Sequence, residues 1–261
     1  MEVRMIPVKR VGSGEHAVIA LHGWFGSAES WGPFTTHLDG SSFSYFFPDF
    51  RGYGARRHEH GQYSISEAAA DVIALADEQG LSTFSLIGHS MGGSIMQRVA
   101  LDAPGRVTGM VGISPVPASG VPFDADTWRL FSDAADTPDS RRAILDFSTG
   151  GHLTKVWLDQ MVRNSLERSD RKAVAAYLVA WAETDFHADI DGSEIPIRLI
   201  VGANDPALGE ATMRQTFSVW YRNAEIVELS GAGHYAMDET PIALATQVEK
   251  FLSGLLAPSV G

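Results

Sequence analysis

Three side chains whose types together can carry out acyl transfer stand far apart in this sequence, each just beyond a strand-length apolar run. Ser90 follows FSLIGH, Asp205 follows IPIRLIVGAN, and His234 follows AEIVELSGAG. A serine hydroxyl alone is a weak nucleophile and needs a base to take its proton and a carboxylate to orient that base. Ser90 lies in Gly88-His89-Ser90-Met91-Gly92, a G-x-S-x-G pattern placed where an apolar run gives way to helical spacing, with Gly93 adding a third glycine. Such a turn forces the serine into a strained backbone conformation and leaves no room for side chains beside it, which accounts for the glycines. A helix starting near Met91 would aim free N–H groups and the positive end of its dipole at an oxyanion next to Ser90, with the Met91 N–H as first donor.

The elements that must position these residues follow from the order of the pattern. Apolar runs at 17–23, 43–50, 84–90, 107–114, 195–202 and 224–230 are strand-length and several are continuously hydrophobic, as strands buried on both faces are. Helix-like stretches separate them, the clearest being SISEAAADVIALADEQG, with Ser64 or Ser66 able to cap it and Gly80 to stop it. SAESWGPFTTHL, MGGSIMQRVALDAP, GEATMRQTFSVWY and TPIALATQVEKFLSGLL read the same way. Alternation of this kind predicts an α/β fold, a mostly parallel central sheet flanked by helices. Ser90, Asp205 and His234 then share the carboxyl edge of the sheet, where open α/β folds bind ligands. Residues 115–194 break the rhythm. They open on the proline-rich SPVPASGVP and show helical segments near 125–133, 138–147, 154–166 and 170–182, an insertion between two sheet strands. The expected division is a core of 1–114 and 195–261 with the insertion at 115–194.

Composition narrows the classes. With 261 residues, 44% hydrophobic and 20% charged, the chain fits one globular domain with an insertion. Twenty Lys and Arg against thirty-two Asp and Glu give a net charge of −12, which opposes nucleic acid and anionic membrane surfaces as partners. The densest basic stretch, RGYGARRH at 51–58, reads as a solvated loop, and HEH at 58–60 as surface without a third metal ligand nearby. The absence of cysteine removes disulfides, thiolate metal sites and a thiol nucleophile. No apolar run approaches the roughly 20 residues of a membrane helix, and the N-terminal stretch has no signal-like apolar core. The expectation is a soluble, cytoplasmic protein acting on a small molecule, with neither metal nor organic cofactor.

On these residues the chain resembles the α/β-hydrolase fold superfamily, of the serine esterase, perhydrolase and carbon–carbon hydrolase type, over essentially its whole length. The order Ser90, Asp205, His234 is that family's order, LHGWFGS at 21–27 resembles its oxyanion loop, and DFRGYG at 49–54 its D-x-R-G-x-G segment, although Ala55-Arg56-Arg57 follows where the family usually has serine. The resemblance implies that Ser90, Asp205 and His234 are catalytic, that the Trp24 N–H is the second oxyanion donor, and that 115–194 is a helical cap shaping the pocket. His22 and His89 are then supporting residues. Candidate substrate contacts are Phe25, His89, Trp128, Trp157, Trp181 and Tyr235, which favour an apolar or aromatic substrate. Serine at position 90 argues against the family branches that use an aspartate nucleophile. Carboxylic ester hydrolysis leads, with C–C bond hydrolysis, lactone hydrolysis and perhydrolysis on the same triad as alternatives. A hydroxynitrile-type lyase, which would need a pocket lysine such as Lys155 or Lys172, and a ligand receptor built on the scaffold are the competing classes.

Overall fold

The computed structural model describes residues 5–256. Seven strands form one sheet: β1 Val8–Val11, β2 His16–Leu21, β3 Phe43–Pro48, β4 Phe84–His89, β5 Val107–Ile113, β6 Ile197–Gly202 and β7 Ala224–Leu229. Their spatial order is β1-β3-β2-β4-β5-β6-β7. Every neighbouring pair is parallel except β1 with β3. β1 has no counterpart among the apolar runs, because it lies at the sheet edge with its residues only half covered, and its alternation is too short to register as a pattern. β3 and β4 are buried along their whole length, and β2 at all but its first residue, which is why they read as unbroken hydrophobic runs. Burying each such Val, Ile, Leu or Phe side chain contributes about 1.5–3 kcal/mol before conformational entropy is subtracted.

Helix α1, Ile65–Glu78, is capped by Ser64, whose side chain accepts from the Glu67 N–H, and the chain leaves it through Gly80 at φ 68°. It packs against α2, Met91–Asp102, which follows β4 directly. Between β5 and β6 come α3 Ala125–Asp133, α4 Pro138–Ser148, α5 Lys155–Arg168 and α6 Arg171–Glu183. Asp124, Thr154 and Asp170 cap α3, α5 and α6 through their side chains. The remaining helices are α7 Glu210–Gln215, α8 Phe217–Trp220, α9 Ala236–Glu239 and α10 Pro241–Leu256. No helix among the described residues is long and apolar enough to cross a membrane.

Three local expectations are corrected. SAESWGPFTTHL yields only a 3₁₀ helix, Gly32–His37, entered through Gly32 at φ 50° and Pro33. GEATMRQTFSVWY divides at Thr216, whose ψ of −86° interrupts the helix between α7 and α8. The 51–58 loop is not a solvated basic patch: Arg56 is buried and pairs with Glu59 and Asp71, while Arg51 grips both oxygens of Asp71 at 2.8 and 2.9 Å. Two arginines around one carboxylate make a structural network, and spacing alone did not show that Asp71 on α1 would meet them.

Candidate active site

Ser90 sits between β4 and α2 at φ 52° and ψ −120°, a conformation that non-glycine residues rarely adopt. Hydrogen bonds on both of its peptide groups hold it there. Its N–H donates to Ile113 O at 3.1 Å, and its carbonyl accepts from the Gly93 and Val116 N–H groups at 2.8 and 2.9 Å, so β5 and the segment after it pin the turn. The glycines are explained by close approach. A Cβ on Gly92 would lie 2.2 Å from Leu21 O, one on Gly88 2.5 Å from Gly92 O, and one on Gly93 2.3 Å from Pro115 Cβ. Strand, turn and helix touch at backbone distance, which only glycine permits.

His234 and Asp205 meet from the ends of β7 and β6, with imidazole Nδ1 2.7 Å from carboxylate Oδ2. The other carboxylate oxygen accepts from the Ala207 and Leu208 N–H groups, both at 3.0 Å. Burial pushes the Asp205 carboxyl up, but the His234 ring and the two N–H donors outweigh it and hold the group below the usual carboxylate range, ionised. Paired in this way, Nδ1 carries the proton toward Asp205 and Nε2 is left as the basic nitrogen. The His234 loop is tied on every side. The His234 N–H donates to Ser148 O at 3.1 Å, and its carbonyl accepts from His89 Nε2 at 2.9 Å. Both oxygens of Glu239 accept from the flanking residues, Gly233 N–H at 2.8 Å and Tyr235 N–H at 3.0 Å.

The loop after β2 is braced by His22, whose Nδ1 donates to Gly23 O at 2.8 Å while Nε2 accepts from the Phe50 N–H at 3.3 Å. Burial lowers the pKa of His22 more than the nearby Asp49 raises it, so the ring is neutral and both nitrogens are committed to the scaffold. Asp49 ties that loop to the next, accepting from Ala28 N–H at 2.7 Å and Ala55 N–H at 2.9 Å. Gly23 packs against the turn that carries Ser90: a Cβ there would lie 2.8 Å from His89 Nδ1 and 3.1 Å from Ser90 Cβ. Among the described residues the backbone N–H groups of Trp24 and Met91 have no protein acceptor.

Ser90, Asp205 and His234 line a single cavity with room of about 80 Å³ for water-sized groups. Trp24, Phe25, Trp181 and Tyr235 share its wall, as do Phe123, Phe131, Phe147 and Leu208. Phe147 is 57% exposed and marks its mouth. Three of the candidate contacts do not reach it. Trp128 packs on Phe123 at 6.2 Å, and Trp157 is held outside by its Nε1–H bond to Asp238 at 3.2 Å and by the edge of Tyr235. His89 lies beneath the site, buried and held neutral by desolvation and by the His234 ring, its pKa pushed down to about 3. Phe123, Ile144, Ser148, Leu208 and the brace Glu239 were not singled out from sequence. The signal for Glu239 was present as an acid five residues beyond His234, but an acid in a loop carries no sign of which N–H groups it meets.

Residues 18–247 match the model of the alpha/beta hydrolase family, and the chain belongs to that family. The chain is 27% identical over 206 residues to 3-oxoadipate enol-lactonase 2 of Acinetobacter baylyi, covering 77% of this chain and 75% of that one. It is also 27% identical over 157 residues to the dihydrolipoyllysine-residue acetyltransferase component of the acetoin cleaving system of Cupriavidus necator. That match covers 59% of this chain and only 41% of the longer protein. Among solved structures, an esterase from Exiguobacterium antarcticum shares the fold with a TM-score of 0.84 at 17% identity, over 97% of this chain and 96% of that one.

Proposed function

We propose that the protein is a serine hydrolase that cleaves a small, uncharged carboxylic ester through an acyl-enzyme. The observation that carries this reading is the His234–Asp205 bond at 2.7 Å opening onto the same apolar cavity as the strained Ser90. His234 Nε2 takes the Ser90 proton as Oγ attacks the ester carbonyl, and Asp205 stabilises the imidazolium that forms. The N–H groups of Met91 and Trp24 hold the oxyanion, each such donor contributing about 3 kcal/mol to the transition state. His234 then protonates the departing alcohol. Water, deprotonated by His234, attacks the acyl-enzyme and releases the acid.

Residues 115–194 act as the cap in this reading. α6 supplies Trp181 to the wall and receives the Trp24 indole N–H at Val174 O, 2.8 Å away. The wall carries no lysine or arginine, so a carboxylate-bearing acyl group would be desolvated without a partner. Room of about 80 Å³ is roughly half of the ~150 Å³ cavity that accepts benzene, which favours a short acyl chain over an aromatic one. The relative named an enol-lactonase supports a reading as a hydrolase of ester-type bonds. A lyase that requires a pocket lysine is disfavoured: Lys155 pairs with Asp159 at the surface and Lys172 is exposed.

Stopped-flow hydrolysis of p-nitrophenyl acetate tests the reading. A burst of nitrophenol close to one equivalent per chain, lost in Ser90→Ala, is expected. Turnover that survives Ser90→Ala would contradict it.

A further inference from the structure

Of the large apolar side chains left exposed among the described residues, Phe147 is the only aromatic one and the only one in the wall of the cavity that holds Ser90 and His234. Single exposed apolar side chains are ordinary on a protein surface, but one that continues a cavity wall is placed to meet what the cavity binds. Phe147 stands one residue from the end of α4 and three after Ile144, so the two share a face of the helix. Ile144 is 7% exposed and Phe147 57%, and that face therefore carries the wall from the buried cavity out to its mouth. The end of α4 is also fixed against the loops that bring in the histidine and the acid. Ser148 O accepts from the His234 N–H at 3.1 Å, a Cβ on Gly233 would lie 2.7 Å from Thr149 Cα, and one on Gly150 would lie 2.9 Å from Asn204 O. Phe147 is thereby held on the side of the cavity where His234 and Asp205 stand.

We propose that Phe147 is a specificity-determining residue that packs on the alcohol part of the ester, which is therefore an apolar chain long enough to leave the cavity and lie over the ring. This rests on the serine-hydrolase reading above and deepens it. His234 must hand its proton to the departing oxygen, so the alcohol oxygen lies beside the imidazole and the chain attached to it on the side of α4. Room of about 80 Å³ takes the carbonyl and a short acyl group and leaves a longer chain to the mouth. There the exposed ring is apolar surface that such a chain removes from water. The ring has neither donor nor acceptor, so a polar or charged alcohol would lose its hydration over it without gaining a partner.

Two ester series separate the two sides of the scissile bond: ethyl, butyl and hexyl acetate lengthen the alcohol, and ethyl acetate, butyrate and hexanoate lengthen the acyl group. Unbranched primary alcohols leave with nearly equal ease, so the slope of kcat/KM along the first series reports contact with the chain. Both slopes are measured in wild type, Phe147→Ser and Phe147→Leu. In wild type kcat/KM is expected to rise about tenfold from ethyl to hexyl acetate, close to twofold per methylene for a chain covered on one side. That rise should fall to about threefold or less in Phe147→Ser and be largely kept in Phe147→Leu. An acyl-series slope common to all three proteins shows that the variants are folded. An alcohol-series slope that is flat in wild type, or equal in wild type and Phe147→Ser, would overturn the proposal, as would a change confined to the acyl series. If the wild type turns over no ester of either series in a Ser90-dependent way, the serine-hydrolase reading itself has failed and the proposal with it.

Discussion

At the scale of single residues, the candidate site separates side chains that face the cavity from side chains that hold the loops around it. Ser90 and His234 face the cavity, while His22, His89, Asp49 and Glu239 spend their hydrogen bonds on the loops around them. If Ser90 and His234 act as one proton-transfer unit, either Ser90→Ala or His234→Ala should lower kcat by about 10⁴-fold or more, and the double variant should be scarcely worse than either. Multiplying losses in steady-state kinetics would refute the shared role. The three residues that meet at the cavity were legible because serine between glycines, and an acid and a histidine beyond late apolar runs, are uncommon in combination. The holding residues were not. Glu239 and Asp49 act through backbone N–H groups, and nothing in residue type or spacing says which peptide groups will face a given carboxylate.

At the scale of elements, the turn between β4 and α2 and the loop after β7 decide the geometry. Gly92 lies against Leu21 O so closely that Gly92→Ala must push β2 and α2 apart. A loss of about 2 kcal/mol or more in urea denaturation is expected, or failure to accumulate folded protein. In the loop after β7, Glu239 clamps the peptides on either side of His234, so Glu239→Gln would set an amide NH₂ against one of two N–H donors. If His234 is the base, the expected outcome is a fall in kcat of about tenfold that exceeds any change in KM, since Glu239 lies outside the cavity wall and acts on the loop that carries His234. An unchanged kcat would show that the loop holds without Glu239. The major strands and α1 to α6 were readable from hydrophobic period and caps. The 3₁₀ helix Gly32–His37 and the break at Thr216 were not, because both are set by backbone angles that the apolar pattern does not encode.

At the scale of the whole molecule, buried neutral histidine links the site to stability. The His89 pKa of about 3 in the folded chain lies far below the ~6.5 of an unfolded histidine, so between those values the unfolded chain binds a proton that the folded chain does not. Stability is therefore whole above about pH 6.5 and falls as pH is lowered, by on the order of 3 kcal/mol from His89 alone at pH 4. Lowered His22 adds in the same direction. Asp205, depressed in the folded state, adds a further loss only below about pH 4, where unfolded carboxylates take up protons. Urea titrations from pH 7 to 4 should show a steeper decline for wild type than for His89→Gln, and parallel declines would remove His89 from this role. Which aromatic rings reach the cavity was beyond sequence reading for a related reason. Trp128, Trp157 and Trp181 look alike as apolar helix residues, and only the packing of α3, α5 and α6 distinguishes them.

The central claim is that Ser90 is the nucleophile and His234 its base. The most direct measurement is labelling with a fluorophosphonate, read by intact mass and by sequencing of the modified peptide. One phosphonyl group per chain on Ser90, formed far more slowly in His234→Ala, is the predicted result. Labelling at another residue, or none in a protein that hydrolyses short esters, would contradict the account.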